Sequence, residues 1–144
     1  MDDQHKPEWI KVDEWDFVEY VDSLLRSQEA VDLEFKTARA GFPNSVWETY
    51  SSFANTDGGT IVLGIKEKNG ALFVEGLLPE QIVSYRQIIC NQLNNPDCVN
   101  VNLLTDKNIQ EVDYRGKSLL LIYVPRASRS QRPVYLTRNP LNGH

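Results

Sequence analysis

Six consecutive residues, Leu-Leu-Leu-Ile-Tyr-Val at 119–124, constrain this chain more than any other feature. Side chains of a strand point alternately to two faces, so a run without a polar interruption has no side to turn to water. Such a segment, within a strand over Ser118–Val124, belongs in the middle of a sheet that is covered on both faces. The rest of the chain must therefore supply neighbouring strands and helices to pack on them.

The hydrophobic pattern identifies these neighbours. Residues 13–27 place Phe17, Tyr20, Val21, Leu24 and Leu25 at helical spacing behind Asp13, a good N-cap, and leave an acidic face in solvent. Residues 31–37 alternate, with Leu33 and Phe35 on one face and Glu34 and Lys36 on the other. After a loop containing Gly41 and Pro43, Ser45 and Glu48 have capping-box spacing for a helix to about Asn55, buried through Trp47, Tyr50 and Phe53 or Ala54. Thr60–Glu67 reads as a central strand, returned by the Asn69-Gly70 hairpin turn through residues 71–75. Pro79 opens a long helix ending at Leu93, before Asn94, Asn95 and Pro96. Val99–Leu104 and Ile109–Tyr114 are two further short strands, with turns at 106–108 and 115–117. The order is α-β-α-β-β-α-β-β-β, an α/β single domain with a mixed β-sheet packed by about three helices. A length of 144 residues, 41% of them hydrophobic, suffices for one core.

Several function classes fall away at once. No apolar stretch is long enough to span a membrane, and the polar, acidic start is no targeting peptide, so the expectation is a cytoplasmic protein with no membrane partner. Cys90 and Cys98 lack metal or redox spacing, and His5 and His144 sit at the chain ends, so no zinc site, disulfide or cofactor is expected. The net charge of −5 disguises a lopsided distribution: residues 1–34 carry −8 and residues 35–144 carry +3. From Ser118 onward there is no acid, while Arg126, Arg129, Arg132 and Arg138 are present. Local charge decides what a surface attracts. The loop from Arg126 to Pro133 is basic and has little reason to fold on its own.

Asp57-Gly58-Gly59 raises the question of a phosphate cradle. A P-loop places its glycines ahead of a helix and follows them with Lys-Ser/Thr; here they follow a helix and precede a strand, and no lysine follows. Gly58 and Gly59 are read as structural, one for the positive backbone angle of a helix end and one for close backbone approach. Asn55, Thr56 and Asp57 add polar groups at a strand edge.

The blocks EAVDLEFK at 29–36, SSFANTDGGTIVLGI at 51–65, VEGL at 74–77, GKSLLLIYVP at 116–125 and RPVYL at 132–136, in this order, resemble the Schlafen-AlbA family of DNA-binding domains. The likeness covers about residues 29–137. It implies an acidic N-terminal segment over 1–28 and a Schlafen-AlbA-like domain over 29–144, cut short of a further strand. The family occurs in bacterial transcriptional regulators, in RecG-related proteins and in the core of vertebrate Schlafen proteins. Bacterial members usually have a winged-helix region downstream.

Three readings follow. In the first, Lys36, Arg39, Arg115, Lys117, Arg126, Arg129 and Arg132 contact phosphates of DNA or RNA from one side of the sheet, and the acidic helix opposes or regulates this surface. In the second, the resemblance to RNA-cleaving Schlafen relatives maps metal-binding acids onto Glu29, Glu34 and Glu67, which would hold Mg²⁺ or Mn²⁺ while Lys36 steadied the transition-state charge. In the third, Tyr114, Tyr123 and Tyr135, with the edge strands, support a homodimer or a partner domain.

Overall fold

The structure, a computed structural model, describes residues 10–24 and 32–137. Its elements are β1 (Ile10–Val12), α1 (Glu14–Leu24), β2 (Leu33–Lys36), α2 (Val46–Ala54), β3 (Gly59–Leu63), β4 (Ile65–Lys68), β5 (Ala71–Val74), α3 (Pro79–Leu93), β6 (Ile109–Tyr114) and β7 (Lys117–Val124). The chain is an α/β single domain; among the described residues it has three α-helices and a short 3-10 turn at Asp106–Asn108, and the strands divide between two sheets.

β7 lies inside the larger sheet, of order β2-β3-β7-β6, with β2 parallel to β3 and the other pairs antiparallel. Its two faces meet different helices. Leu120, Ile122 and Val124, with Ile61 and Leu63 of β3, pack on Trp47, Tyr50 and Phe53 of α2 and Ile82, Tyr85 and Ile89 of α3. Leu119 and Leu121, with Val62, pack on Phe17 and Val21 of α1. Helices on both faces are the physical requirement of the uninterrupted apolar run.

The smaller sheet, β1-β5-β4, is antiparallel. It arises because the expected strand over Thr60–Glu67 is redirected at Gly64. That residue has φ +111°, and an added Cβ would stand 2.9 Å from a Leu119 methyl. The Gly64 N–H donates to the Lys36 carbonyl (3.0 Å), and its own carbonyl accepts from Glu75 and Gly76. A backbone angle open to glycine thus ends one sheet and begins the next. β5 returns through Asn69 (φ 53°) and Gly70 (φ 78°), as the hairpin signal predicts.

Residues 10–24 are built into this core. β1 pairs with β5, and the Phe17 ring, fully buried, meets Tyr114 and Phe35 edge-on at 5.1 and 5.7 Å between centroids. Asp13 caps α1 by accepting the Trp15 N–H at 2.8 Å. Ser45 makes no such cap on α2. Its Oγ instead stands 3.0 Å from Lys36 Nζ, so the capping-box expectation is replaced by a tie between β2 and α2.

Val99–Leu104 is not a strand; one bridge, Val99 to Leu136, is all that remains of it. The Tyr50 hydroxyl takes the backbone groups a neighbouring strand would have used, donating to the Val101 carbonyl (2.8 Å) and accepting from the Leu103 N–H (2.9 Å). Asn102 Oδ1 accepts from the Leu104 N–H.

Candidate functional site

The glycine corner closes α2. Gly58 (φ 84°) donates its N–H to the Phe53 carbonyl at 2.8 Å, and a Cβ on Gly59 would stand 2.5 Å from the Phe53 ring. Thr56 Oγ1 donates to the Ser52 carbonyl, and Asp57 is exposed. This is a helix stop in the glycine-dependent form.

Asn55 has the role with the widest reach. Its Nδ2 donates to the Val134 carbonyl (2.7 Å) and its Oδ1 accepts the Val134 N–H (2.8 Å), while Ser51 Oγ donates to the same carbonyl (2.6 Å). On the other side Asn100 Oδ1 accepts the Tyr135 N–H (2.8 Å), the Asn100 N–H donates to the Tyr135 carbonyl (3.2 Å), and Nδ2 donates to the Pro133 carbonyl (3.0 Å). Two asparagines therefore hold residues 133–135 by side chain and main chain. Their spacing in sequence gave no sign of this.

The segment leading there is the basic loop, which proves to be tied by its own residues. Ala127 donates to the Ala54 carbonyl at the end of α2 (2.8 Å). Gln131 Oε1 accepts the Ser128 N–H (2.9 Å), and the Ser128 carbonyl accepts from Gln131 and Arg132. Arg126 and Arg129 are exposed and Arg132 is half-buried. Among the described residues no carboxylate lies within ion-pair distance of any of the three, and their side chains make no hydrogen bond. The Ala127–Ala54 bond brings the start of this loop, beside Arg126, to the C-terminal end of α2, whose partial negative charge favours cations.

The other predicted cations lie elsewhere. β7 begins at Lys117 and ends at Val124, about 23 Å of strand at ~3.3 Å per residue, so Lys117 and Arg115 sit at the opposite end of the sheet from Arg126. Lys36 and Arg39 join them there, because Lys36 pairs with Leu63 and Leu63 with Leu120. These cations are engaged. Lys36 Nζ reaches Ser45 and stands 4.0 Å from Glu34 Oε2, Arg39 Nη1 donates to the Glu75 carbonyl (3.2 Å), and Arg115 lies 5.2 Å above the Tyr114 ring. Arg39 is set in place by α3, whose Gln81 Nε2 donates to the Arg39 carbonyl (2.7 Å). Arg39, Glu75, Gly116, Lys117 and Ser118 line a cleft of about 290 Å³, in whose wall Glu75 Oε1 is buried without a hydrogen-bond partner among the described residues. The seven cations thus form two groups rather than one continuous side. α1, on the face of the sheet opposite α2, displays Glu14, Asp16, Glu19 and Asp22 to solvent.

Two acids of the metal reading lie on strands of different sheets. Glu34 is half-exposed beside Lys36, Glu67 is exposed on β4 in the other sheet, and Glu29 lies outside the described residues, as does Arg138. Among the described residues no group of three or more His, Cys, Asp or Glu could hold a metal ion. Of the tyrosines, Tyr114 is buried, Tyr123 is half-buried in the sheet, and Tyr135 is 51% exposed. Cys90 is exposed; Cys98 is buried, which pushes its thiol pKa up. No helix among the described residues is long and apolar enough to cross a membrane.

The sequence pattern of the family described as Schlafen, AlbA_2 matches residues 29–141. The chain belongs to this family. Its fold is similar to that of the N-terminal domain of a RecG-related protein from Nitrosomonas europaea, with TM-score 0.61 and 28% identity over 83% of this chain and 78% of that one. A more distant likeness, TM-score 0.47 and 22% identity, joins 75% of this chain to 20% of the DIP2311 protein from Corynebacterium diphtheriae. No curated protein matches. Schlafen AlbA_2 membership and the RecG-related neighbour associate the chain with a nucleic-acid-related domain.

Proposed function

We propose that this domain binds nucleic acid, DNA foremost, through backbone phosphates held by Arg126, Arg129 and Arg132. One observation carries the reading: three arginines within seven residues, on an ordered loop, have no carboxylate partner among the described residues, and no acid follows Ser118. Cations kept unpaired leave their charge to a polyanion from outside, and release of condensed counterions then drives association. The exposed acids of α1 would turn the strand away from the opposite face and so fix which surface it meets. Contacts of this kind position a strand and read little of its sequence. Within a full-length transcriptional regulator, base reading would fall to a downstream winged-helix region, and a homodimer would present two such loops.

The test is a fluorescence-anisotropy titration of labelled DNA and RNA at about 50 and about 200 mM salt. With three phosphates engaged, the three arginines account for a roughly 20- to 40-fold loss of affinity across that interval. The Arg126→Ala/Arg129→Ala/Arg132→Ala variant is expected to lose that share of the salt dependence. An unchanged slope in this variant would overturn the assignment.

A further inference from the structure

We infer that Tyr135 is a stacking platform for an unpaired base, so that the ligand of the arginine loop is single-stranded nucleic acid; this rests on the phosphate reading above and narrows its substrate. The ring is 51% exposed although the backbone beneath it is bonded on both sides. The Tyr135 N–H and carbonyl are both bonded to Asn100, and the N–H and carbonyl of Val134, buried to 1%, are both bonded to Asn55. A main chain held in this way has little freedom left to lose when something settles on the ring.

Its surroundings decide what that is. Two residues, Pro133 and Val134, separate Tyr135 from Arg132, so their Cα atoms, three steps apart along the chain, are at most about 11 Å from each other, within the combined reach of the two side chains. An aromatic ring within reach of an arginine that has no carboxylate partner among the described residues is a poor seat for an apolar protein surface, whose arrival would strip water from the guanidinium group. It suits a nucleotide, which brings a π-face to the ring and a phosphate to the arginines together. Bases inside a duplex are already stacked on each other and offer no free face, so the ring discriminates for a single strand.

The experiment compares labelled oligo-thymidine, an abasic strand of equal length and a duplex, each titrated with wild type, Tyr135→Ala, Tyr135→Phe and the triple arginine variant, with thermal melts confirming the fold. Tyr135→Ala is expected to weaken oligo-thymidine binding roughly tenfold and leave the abasic strand, the duplex and the salt slope unchanged, with Tyr135→Phe close to wild type. Equal weakening on the abasic strand, no weakening on oligo-thymidine, or a Tyr135→Phe variant as weak as Tyr135→Ala would overturn the stacking role. If the triple arginine variant binds every ligand like wild type, the phosphate reading fails, and the failure is visible separately from the Tyr135 result.

Discussion

Asn55 at the end of α2 and Val134, seventy-nine residues later, exchange two hydrogen bonds through one side-chain amide, at 2.7 and 2.8 Å. The amide does for Val134 what a neighbouring strand would have done. Replacing it leaves the buried Val134 N–H with no partner and its carbonyl with Ser51 Oγ alone, so Asn55→Ala is expected to cost about 1–3 kcal/mol in denaturant unfolding. Asn55→Asp keeps the acceptor and loses the donor, and should fall between the two.

Gly59→Ala should destabilise by about 1–3 kcal/mol, because the new methyl would stand 2.5 Å from two carbons of the Phe53 ring, which is itself packed in the core. The companion variant Phe53→Leu/Gly59→Ala removes the ring edge. If the clash is the cause, the alanine costs less in that background, a coupling that a double-mutant cycle reads directly.

Phe17→Ala empties a fully buried position between Tyr114 and Phe35, and about 3–5 kcal/mol of stability should go with it. A small loss would mean that α1 is dispensable to the core. Calorimetric or denaturant unfolding distinguishes the two.

Burial holds the Tyr50 hydroxyl protonated and pushes its pKa up to about 12, against an ordinary value of 10.0. The folded state therefore keeps a proton that the unfolded chain releases near pH 10. The resulting stability is fully present below pH 10 and is lost as pH rises towards 12. Tyr50→Phe should lower stability at neutral pH, through the lost bonds to Val101 and Leu103, and flatten the alkaline slope.

Lys36 already sits against Ser45 and Glu34, and Arg39 on the Glu75 carbonyl. Lys36→Gln and Arg39→Gln are accordingly expected to leave the salt slope of nucleic-acid binding as it is, in contrast to the loop arginines. A fall in slope on the same anisotropy titration would move the phosphate site to the other end of β7.

Much of the local structure was legible because its causes are local. α3 spans Pro79 to Leu93 where the proline and the following asparagines predict it, the Asn69-Gly70 turn adopts the positive angles its residues favour, and Gly58 takes the positive angle of a helix end, while Gly59 meets the Phe53 ring rather than a second backbone. The missed elements depend on distant partners. Ile10–Val12 is too short to carry a period of its own and becomes a strand through its pairing with β5. Val99–Leu104 has strand-like residues, yet Tyr50 from α2 occupies its hydrogen-bonding groups.

The same division holds for the candidate site. Residue order alone determined that an acid-free, arginine-rich segment follows a strand buried on both faces, since charge and alternation need no partner to be read. Only the tertiary structure decided which cations stay together: the pairing of β2 with β3 and of β3 with β7 brings Lys36 and Arg39 to the Lys117 end of the sheet, away from Arg126. It also decided that Tyr135 is displayed rather than buried, because the asparagines that clamp its segment come from the end of α2 and from the segment after α3. Side-chain hydrogen bonds between residues far apart in sequence leave no periodicity along the chain, and these bonds shape the loop.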